Sequence, residues 1–359
     1  MKDLCSLRVG QDVEVIDQTL LPHRLQWLKL DSLDAYCHAI ASMQVRGAPL
    51  IGITAAFGLA EAIKEDPSTP HIHASINALL ATRPTAVNLR WALERVANCA
   101  RPLAESRRAQ AAFECALALR EEDIKNCSRI GEFGLDVLQR LPGSAAGERL
   151  NIMTHCNAGW LATVRWGTAL APIYKAHEVG IKVHVWVSET RPRNQGACLT
   201  AWELARVGVP CTIVADNSCG YLMRSGEVDA VIVGSDRTAA NGDVCNKIGT
   251  YLKALAASAN GVPFYVAVPE SSIDWSCPGG ADIPIEVRDS SELLTINGLD
   301  HSGQLGSVQL AAPDSRGYNP AFDITPASLI SGLITEHGVI AANTRELALL
   351  REGDWHSTR

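Results

Sequence analysis

Residues 231–251, VIVGSDRTAANGDVCNKIGTY, decide how this chain is read. The β-branched run Val231–Val233 predicts a buried strand, and it stops at once in Gly234, Ser235, Asp236 and Arg237. A polar, glycine-containing loop follows, and a helical pattern is expected to start near Asn246 and Lys247. That order suits an open parallel sheet, in which ligands bind outside the carboxyl ends of the strands. An acid, a base and a helix N-terminus would then meet where a small anionic ligand sits.

The same rhythm extends on both sides. Apolar runs at Leu150–His155, Ile181–Val187, Cys211–Ala215, Ala230–Val233 and Phe264–Val268 predict strands, and a helical pattern follows each of the first four. The expected fold class is α/β: a Rossmann-like C-terminal domain with a largely parallel sheet, preceded by a smaller, mostly helical N-terminal domain. Helical spacing recurs in ITAAFGLAEAI (53–63), NLRWALERVANCA (88–100) and AAFECALAL (111–119), with short strands at Val13–Asp17 and Leu25–Leu30. The Leu141-Pro142-Gly143-Ser144 punctuation sets the expected domains at 1–142 and 143–359. The glycine- and proline-rich stretch from Cys277 to Pro320 predicts irregular strands or a lid, and Pro326–His337 a last helix.

Composition narrows the function. With 359 residues, 47% hydrophobic and 20% charged, the chain has the profile of a soluble globular protein with room for two cores. No run of 18 apolar residues predicts a membrane span. MKDLCSLRVGQDVEVID at the N-terminus lacks an apolar signal core. Eleven cysteines without a CxxC pair fit reduced thiols, so the expected compartment is the cytoplasm. A net charge of −7 gives no global attraction to nucleic acid or anionic membrane. Neither the cysteines nor the histidines show metal-ligand spacing, and no GxGxxG follows a strand, so neither a metal nor NAD is expected.

Four predicted strand ends carry polar or reactive groups: Thr154–Gly159, Glu189–Gly196, Asp216-Asn217 and Ser235–Arg237. Cys156 stands after a strand and before an expected helix, where free N–H groups favour a thiolate; the alternative is a small buried hydrophobe. His155 reads as an acid/base or as a hydrogen-bonded structural residue. Asp236 is either a helix cap or a desolvated carboxyl that keeps its proton near neutral pH. Arg237 either pairs with it or supports the fold, and Asp216 and Asn217 either bind sugar hydroxyls or cap a helix. In the N-terminal half, Arg46-Gly47-Ala48 precedes a helix and either presents a guanidinium and backbone amides to phosphate or simply makes a tight turn. Arg83, just before another expected helix, either offers a second cation or is an ordinary surface arginine.

The strings IDQTLLP (16–22), VRGAPLIGI (45–53), TRPTAVNL (82–89), MTHCNAG (153–159), ETRPRNQGACLTAWEL (189–204), GSDRTAANGDVCNKIGTYLKALAA (234–257), VPFYVAVPESSID (262–274) and NPAFDITPASLI (319–330) together resemble the methylthioribose-1-phosphate isomerase family of methionine salvage. They run in order through nearly the whole chain. Relatives of that family include ribose-1,5-bisphosphate and 5-deoxyribose-phosphate isomerases and the regulatory subunits of a translation-initiation nucleotide-exchange factor. The resemblance implies an aldose–ketose isomerase without a cofactor, acting on a small phosphorylated sugar and usually homodimeric. It puts the catalytic pair on Cys156 and Asp236, and substrate contacts on Arg46, Gly47, Ala48, Arg83, Gln195, Asn246 and Lys247. Arg46 and Arg83 would hold the phosphate. Ser188 stands where the family more often has an acid, and Ser218-Cys219 replace more usual small or methionine residues.

Overall fold

The computed structural model describes residues 4–145, 147–353 and Trp355. Its first half is organised by the helix Ala48–Glu65, which is apolar on nearly every face and therefore stable only when surrounded. The helices Leu33–Ala41, Thr69–Thr82, Val87–Ala100 and the first turns of the 35-residue helix Glu105–Gln139 surround it. Leu50, Ile53, Phe57 and Leu59 thus lie fully buried among Tyr36, Leu89, Leu93 and Ala116. An antiparallel sheet of Leu7–Val9, Val13–Ile16 and Trp27–Leu30 closes one side.

Glu105–Gln139 is one continuous helix, not the short segment that 111–119 suggested. Its later turns carry Ile130, Val137 and Leu138 into a second core with Ile173 and Tyr174. Gly134 lets the helix Ala171–Glu178 come close, because a Cβ there would overlap the ring of Pro172. The Pro142-Gly143 punctuation folds as a one-turn helix, Pro142–Ala145.

The second half is built on a seven-stranded sheet in the order Val339–Ile340, Gly332–Ile334, Phe264–Ala267, Ala230–Val233, Leu150–His155, Val183–Ser188, Cys211–Val214. All neighbours pair parallel except the edge strand Val339–Ile340. The chain is therefore an α/β protein with a mostly helical N-terminal part and a largely parallel sheet. Starting from Leu150–His155 the chain first adds strands on one side, then returns to add Ala230–Val233 on the other. That reversal opens a crevice beyond His155 and Val233, the usual place for a ligand in such sheets.

Two expectations change. Asn246 and Lys247 do not begin a helix. They belong to the strand Val244–Lys247, paired with Phe322–Thr325 in a second, four-stranded sheet, and the helix starts at Thr250. Gly249, at φ 98°, makes the turn, and the Asp323 carboxylate accepts from Gly249 N and Tyr251 N. Pro326–His337 is not a helix either. After a short turn at Ala327–Leu329, the buried run Gly332–Ile334 pairs with Tyr265–Ala267, and the last helix is Thr344–Glu352. Residues 277–320 hold two short helical turns, Gly280–Asp282 and Ser291–Leu294. They also hold a hairpin of Thr295–Leu299 with Leu305–Gln309. Among the described residues no helix is long and apolar enough to cross a membrane.

Candidate active site

The crevice at the reversal point is a cleft open to solvent. Arg46, Gly47, Ala48, Arg83, Cys156, Gln195, Asp236, Asn246 and Lys247 all line it, brought together from both halves of the chain. His155, Asn157, Ser235 and Phe322 join them.

The N-terminal half contributes a helix start. Gly47, at φ 96°, turns the chain into Ala48–Glu65, and a Cβ there would lie 2.5 Å from the backbone of Ala162. Only glycine allows this approach. It brings the first turn of the helix, whose N–H groups have no intrahelical acceptor, to the cleft wall. The helix N-terminus anticipated beside Asp236 is thus supplied by Gly47-Ala48 instead. Beside it the buried Arg46 donates from Nη1 to the Asn157 Oδ1 and from Nη2 to the Asn157 main-chain O at 2.7 Å. Arg83 caps the end of Thr69–Thr82; its Nη2 stands 3.3 Å from Glu286 Oε2. Glu286 Oε1 accepts from Arg288 Nη1, and Arg83 Nε is buried without a protein acceptor.

Cys156 follows the first parallel strand with φ 63°, an unusual conformation for a residue with a side chain. Two short bonds hold it there: Cys156 N donates to Thr190 Oγ1 at 2.7 Å, and Thr200 Oγ1 donates to Cys156 O at 2.6 Å. The turn aims the thiol at Gln195, whose Oε1 accepts from Sγ at 2.8 Å. Burial pushes the thiol up, against the opposite pull of Arg46 and Lys247. The thiolate at a helix N-terminus expected from the sequence is not what forms. No helix starts behind Cys156, since the chain runs through a short turn at Trp160–Ala162 to Ala171–Glu178, and the sulfur is a protonated donor.

Asp236 is not a helix cap, because the chain continues into the strand Arg237–Ala239. Its N–H donates to Cys245 O at 3.0 Å. Burial raises its carboxyl, while Lys247, Arg46 and Arg83 pull the other way. Lys247 is lowered, chiefly by burial, and its Nζ lies 4.7 Å above the Phe322 ring. Asn246 is anchored by Nδ2 to Thr250 Oγ1 at 3.1 Å. Each shift reflects the same cause, a cleft in which the charged form is poorly solvated.

The remaining candidates are structural. His155 Nε2 donates to Ile248 O at 2.8 Å, and Nδ1 faces Ser188 Oγ at 3.0 Å. Burial and Lys253 take its value down to about 3, so the ring is neutral. Asp216 neither lines the cleft nor caps its own helix. Its Oδ1 accepts from Thr190 N at 2.5 Å and its Oδ2 from Arg191 N at 2.9 Å, fastening the turn that carries Gln195. Ser188 bridges His155 Nδ1, at 3.0 Å, to Asp216 Oδ1 at 2.9 Å. Arg237 does not pair with Asp236. It reaches Asp274 Oδ2 at 3.5 Å and Thr85 O, so it joins the two halves. Among the described residues, Glu270, Glu336 and His337 approach metal-ligand spacing. They do not line the cleft, and His337 Nε2 pairs with Glu270 Oε2 at 2.9 Å. Asn157, the residue that grips Arg46, was missed, as nothing in its spacing distinguishes it from any turn asparagine.

Residues 44–342 match the Initiation factor 2 subunit family. The methylthioribose-1-phosphate isomerase of Dechloromonas aromatica is 56% identical over 338 residues, 94% of this chain and 93% of that protein. The crystal structure of 5-methylthioribose 1-phosphate isomerase from Pyrococcus horikoshii OT3 is similar with a TM-score of 0.85 and 38% identity. That likeness covers 98% of this chain and 97% of that one. A crystal structure described as translation initiation factor eIF-2B, subunit delta, from A. fulgidus gives 0.79 and 36%, over 96% and 99%. The chain belongs to the initiation factor 2 subunit family and, within it, to the methylthioribose-1-phosphate isomerases.

Proposed function

We propose that the chain is an aldose–ketose isomerase of methionine salvage that converts 5-methylthioribose 1-phosphate to 5-methylthioribulose 1-phosphate. The observation that carries this reading is the convergence on one cleft of a thiol and a carboxyl that burial pushes toward their protonated forms with two arginines from the N-terminal half. Residues 1–142 contribute Arg46, Arg83 and the helix start at Gly47-Ala48. Residues 143–359 contribute Cys156, Gln195, Asp236, Asn246 and Lys247. The working unit is a homodimer in the cytoplasm, bound to neither nucleic acid nor membrane.

The phosphate on the anomeric oxygen prevents the ring opening that a free aldose undergoes. Asp236 donates its proton to the furanose ring oxygen as the C1–O bond breaks. Hydrogen then leaves C2 for C1. The O2 proton passes to the Asp236 carboxylate, which restores the acid and leaves a ketone at C2. A thiol held protonated by burial and bonded to Gln195 cannot take the C2 proton until it has lost its own. That favours direct hydride transfer over a cis-enediol, with Cys156 forming the dry wall against the reacting carbons. A C2 deuteron should be retained at C1; complete washout into solvent would restore Cys156 as the shuttling base.

A coupled turnover assay on the purified protein tests the function itself. Methylthioribose 1-phosphate should be preferred over ribose 1,5-bisphosphate and 5-deoxyribose 1-phosphate. A preference for either of the others moves the chain to a sibling activity. No turnover of any of the three sinks the enzyme reading, and sizing chromatography alongside reports the assembly.

A further inference from the structure

Glu203 lies in the string TAWEL, on the helix Ala201–Val207, and has no exposed surface. It does not line the cleft. A buried carboxylate needs donors, and Glu203 has four. Oε1 accepts from Asn157 Nδ2 and Leu161 N, each at 2.9 Å. Oε2 accepts from Trp160 N and Tyr174 Oη, each at 2.8 Å. Three of the four belong to the segment 157–161 behind Cys156, and Gly159 is pressed so closely on Oε2 that a Cβ would overlap it.

This cage fixes one amide. Asn157 Nδ2 is engaged by Glu203 and, at 3.2 Å, by Thr200 Oγ1, so Oδ1 must point the other way, to Arg46 Nη1. Flipping the amide would set an NH₂ against the guanidinium and an oxygen against a carboxylate. Asn157 O completes the hold through Arg46 Nη2 at 2.7 Å. Burial pushes the Glu203 carboxyl up to about 7 while Asn157, Leu161 and Tyr174 pull it the other way, so the buried Arg46 cation is joined through a neutral group to a carboxyl that carries only part of a charge near neutral pH. A carboxylate in direct contact with Arg46 would compete with an anionic ligand; the interposed amide fixes the guanidinium and leaves its outer N–H groups available.

We propose that Glu203 is a positioning residue that, through Asn157, aims Arg46 at the phosphate group of the substrate. The assignment rests on the reading of Arg46 as a phosphate contact. Kinetics with methylthioribose 1-phosphate and calorimetry with inorganic phosphate, on the full chain, test it together. Glu203→Gln should raise both KM and the phosphate Kd about tenfold, with kcat within about threefold of wild type. In an Arg46→Lys background, which cannot make the same two-point contact with Asn157, Glu203→Gln should add less than about twofold. Equal penalties in the two backgrounds would make Glu203 merely structural and overturn the proposal, as would an unchanged Kd. If Glu203→Gln does not fold, Tyr174→Phe removes one donor and keeps the carboxylate. It should raise the phosphate Kd about threefold in the parent protein and leave it unchanged in the Arg46→Lys background. A rise of the same size in both would again make the cage merely structural. A parent protein that binds phosphate but never turns over the sugar phosphate would sink the isomerase reading, while the Kd comparison would still decide on Glu203.

Discussion

Arg46 and Arg83 reach the same cleft from the N-terminal half, but Arg46 is held by the neutral Asn157 whereas Arg83 faces the Glu286 carboxylate at 3.3 Å. Asn157 orients Arg46 without cancelling its charge. Glu286 partly cancels Arg83, and it is itself held by Arg288. A phosphate arriving at Arg46 adds interactions to a preset donor. One arriving at Arg83 must share or displace an existing partner. Two arginines that look equivalent in the sequence should therefore differ in what they contribute to binding.

That comparison presumes that the arginines bind and the sheet edge reacts, and the largest expected effects test the presumption. Asp236→Asn removes the proton donor and should lower kcat by about 10²–10⁴-fold, and Cys156→Ala opens the water-excluding wall and should lower it by about 10²-fold, with KM within about threefold in both. Both variants should remain folded, which circular dichroism checks. Near-normal turnover in either removes that residue from the mechanism, and a rise confined to KM would move it to the binding side.

The arginines come next. Arg46→Ala removes an uncancelled, charge-assisted contact, and KM should rise about 10–100-fold, corresponding to ~1.5–3 kcal/mol. Arg83→Ala also removes the partner of Glu286, so the net loss should be smaller, about three- to tenfold in KM. Equal penalties would erase the distinction between a neutral and an anionic anchor. An unchanged KM in Arg83→Ala would move the phosphate site away from it.

The legibility of the molecule divides along similar lines. Where a side chain's chemistry is local, the sequence showed it: Val231–Val233 is a strand, Asp236 follows it, and Gly47 turns into a helix. Where the outcome depends on partners distant along the chain, it did not. NKIGTYLKALAA has helical spacing from Asn246 onward, yet pairing with Phe322 and Asp323 makes Asn246 and Lys247 strand. Pro326–His337 looks helical because a short apolar run has no decisive period, and the neighbouring Tyr265–Ala267 settles Gly332–Ile334 within it as strand. Asp216 looks like a cap and instead fastens Thr190 and Arg191, 26 and 25 positions upstream. No local pattern could pair Asn157 with Arg46, 111 positions earlier.

The smallest effects concern Glu286, which touches both sides of the comparison. Its carboxylate partners Arg83, and its negative charge is one of the influences raising Asp236. Glu286→Gln should free Arg83 and lower KM about twofold, since one weak ion pair no longer competes with the phosphate. It should also alter the pH profile. Asp236 is active while protonated, and its raised value extends that form upward in pH, so kcat/KM is full below the raised value and falls as pH rises through it. Removing the Glu286 charge makes ionisation of Asp236 easier, and the alkaline limb should move to lower pH. The Lys247 ammonium near Asp236 pulls the same carboxyl down, so Lys247→Met should move that limb the opposite way, whatever it does to the rate. Limbs that coincide in all three proteins would show that Asp236 does not set the profile, and Glu286 would then matter only as the anchor of Arg83.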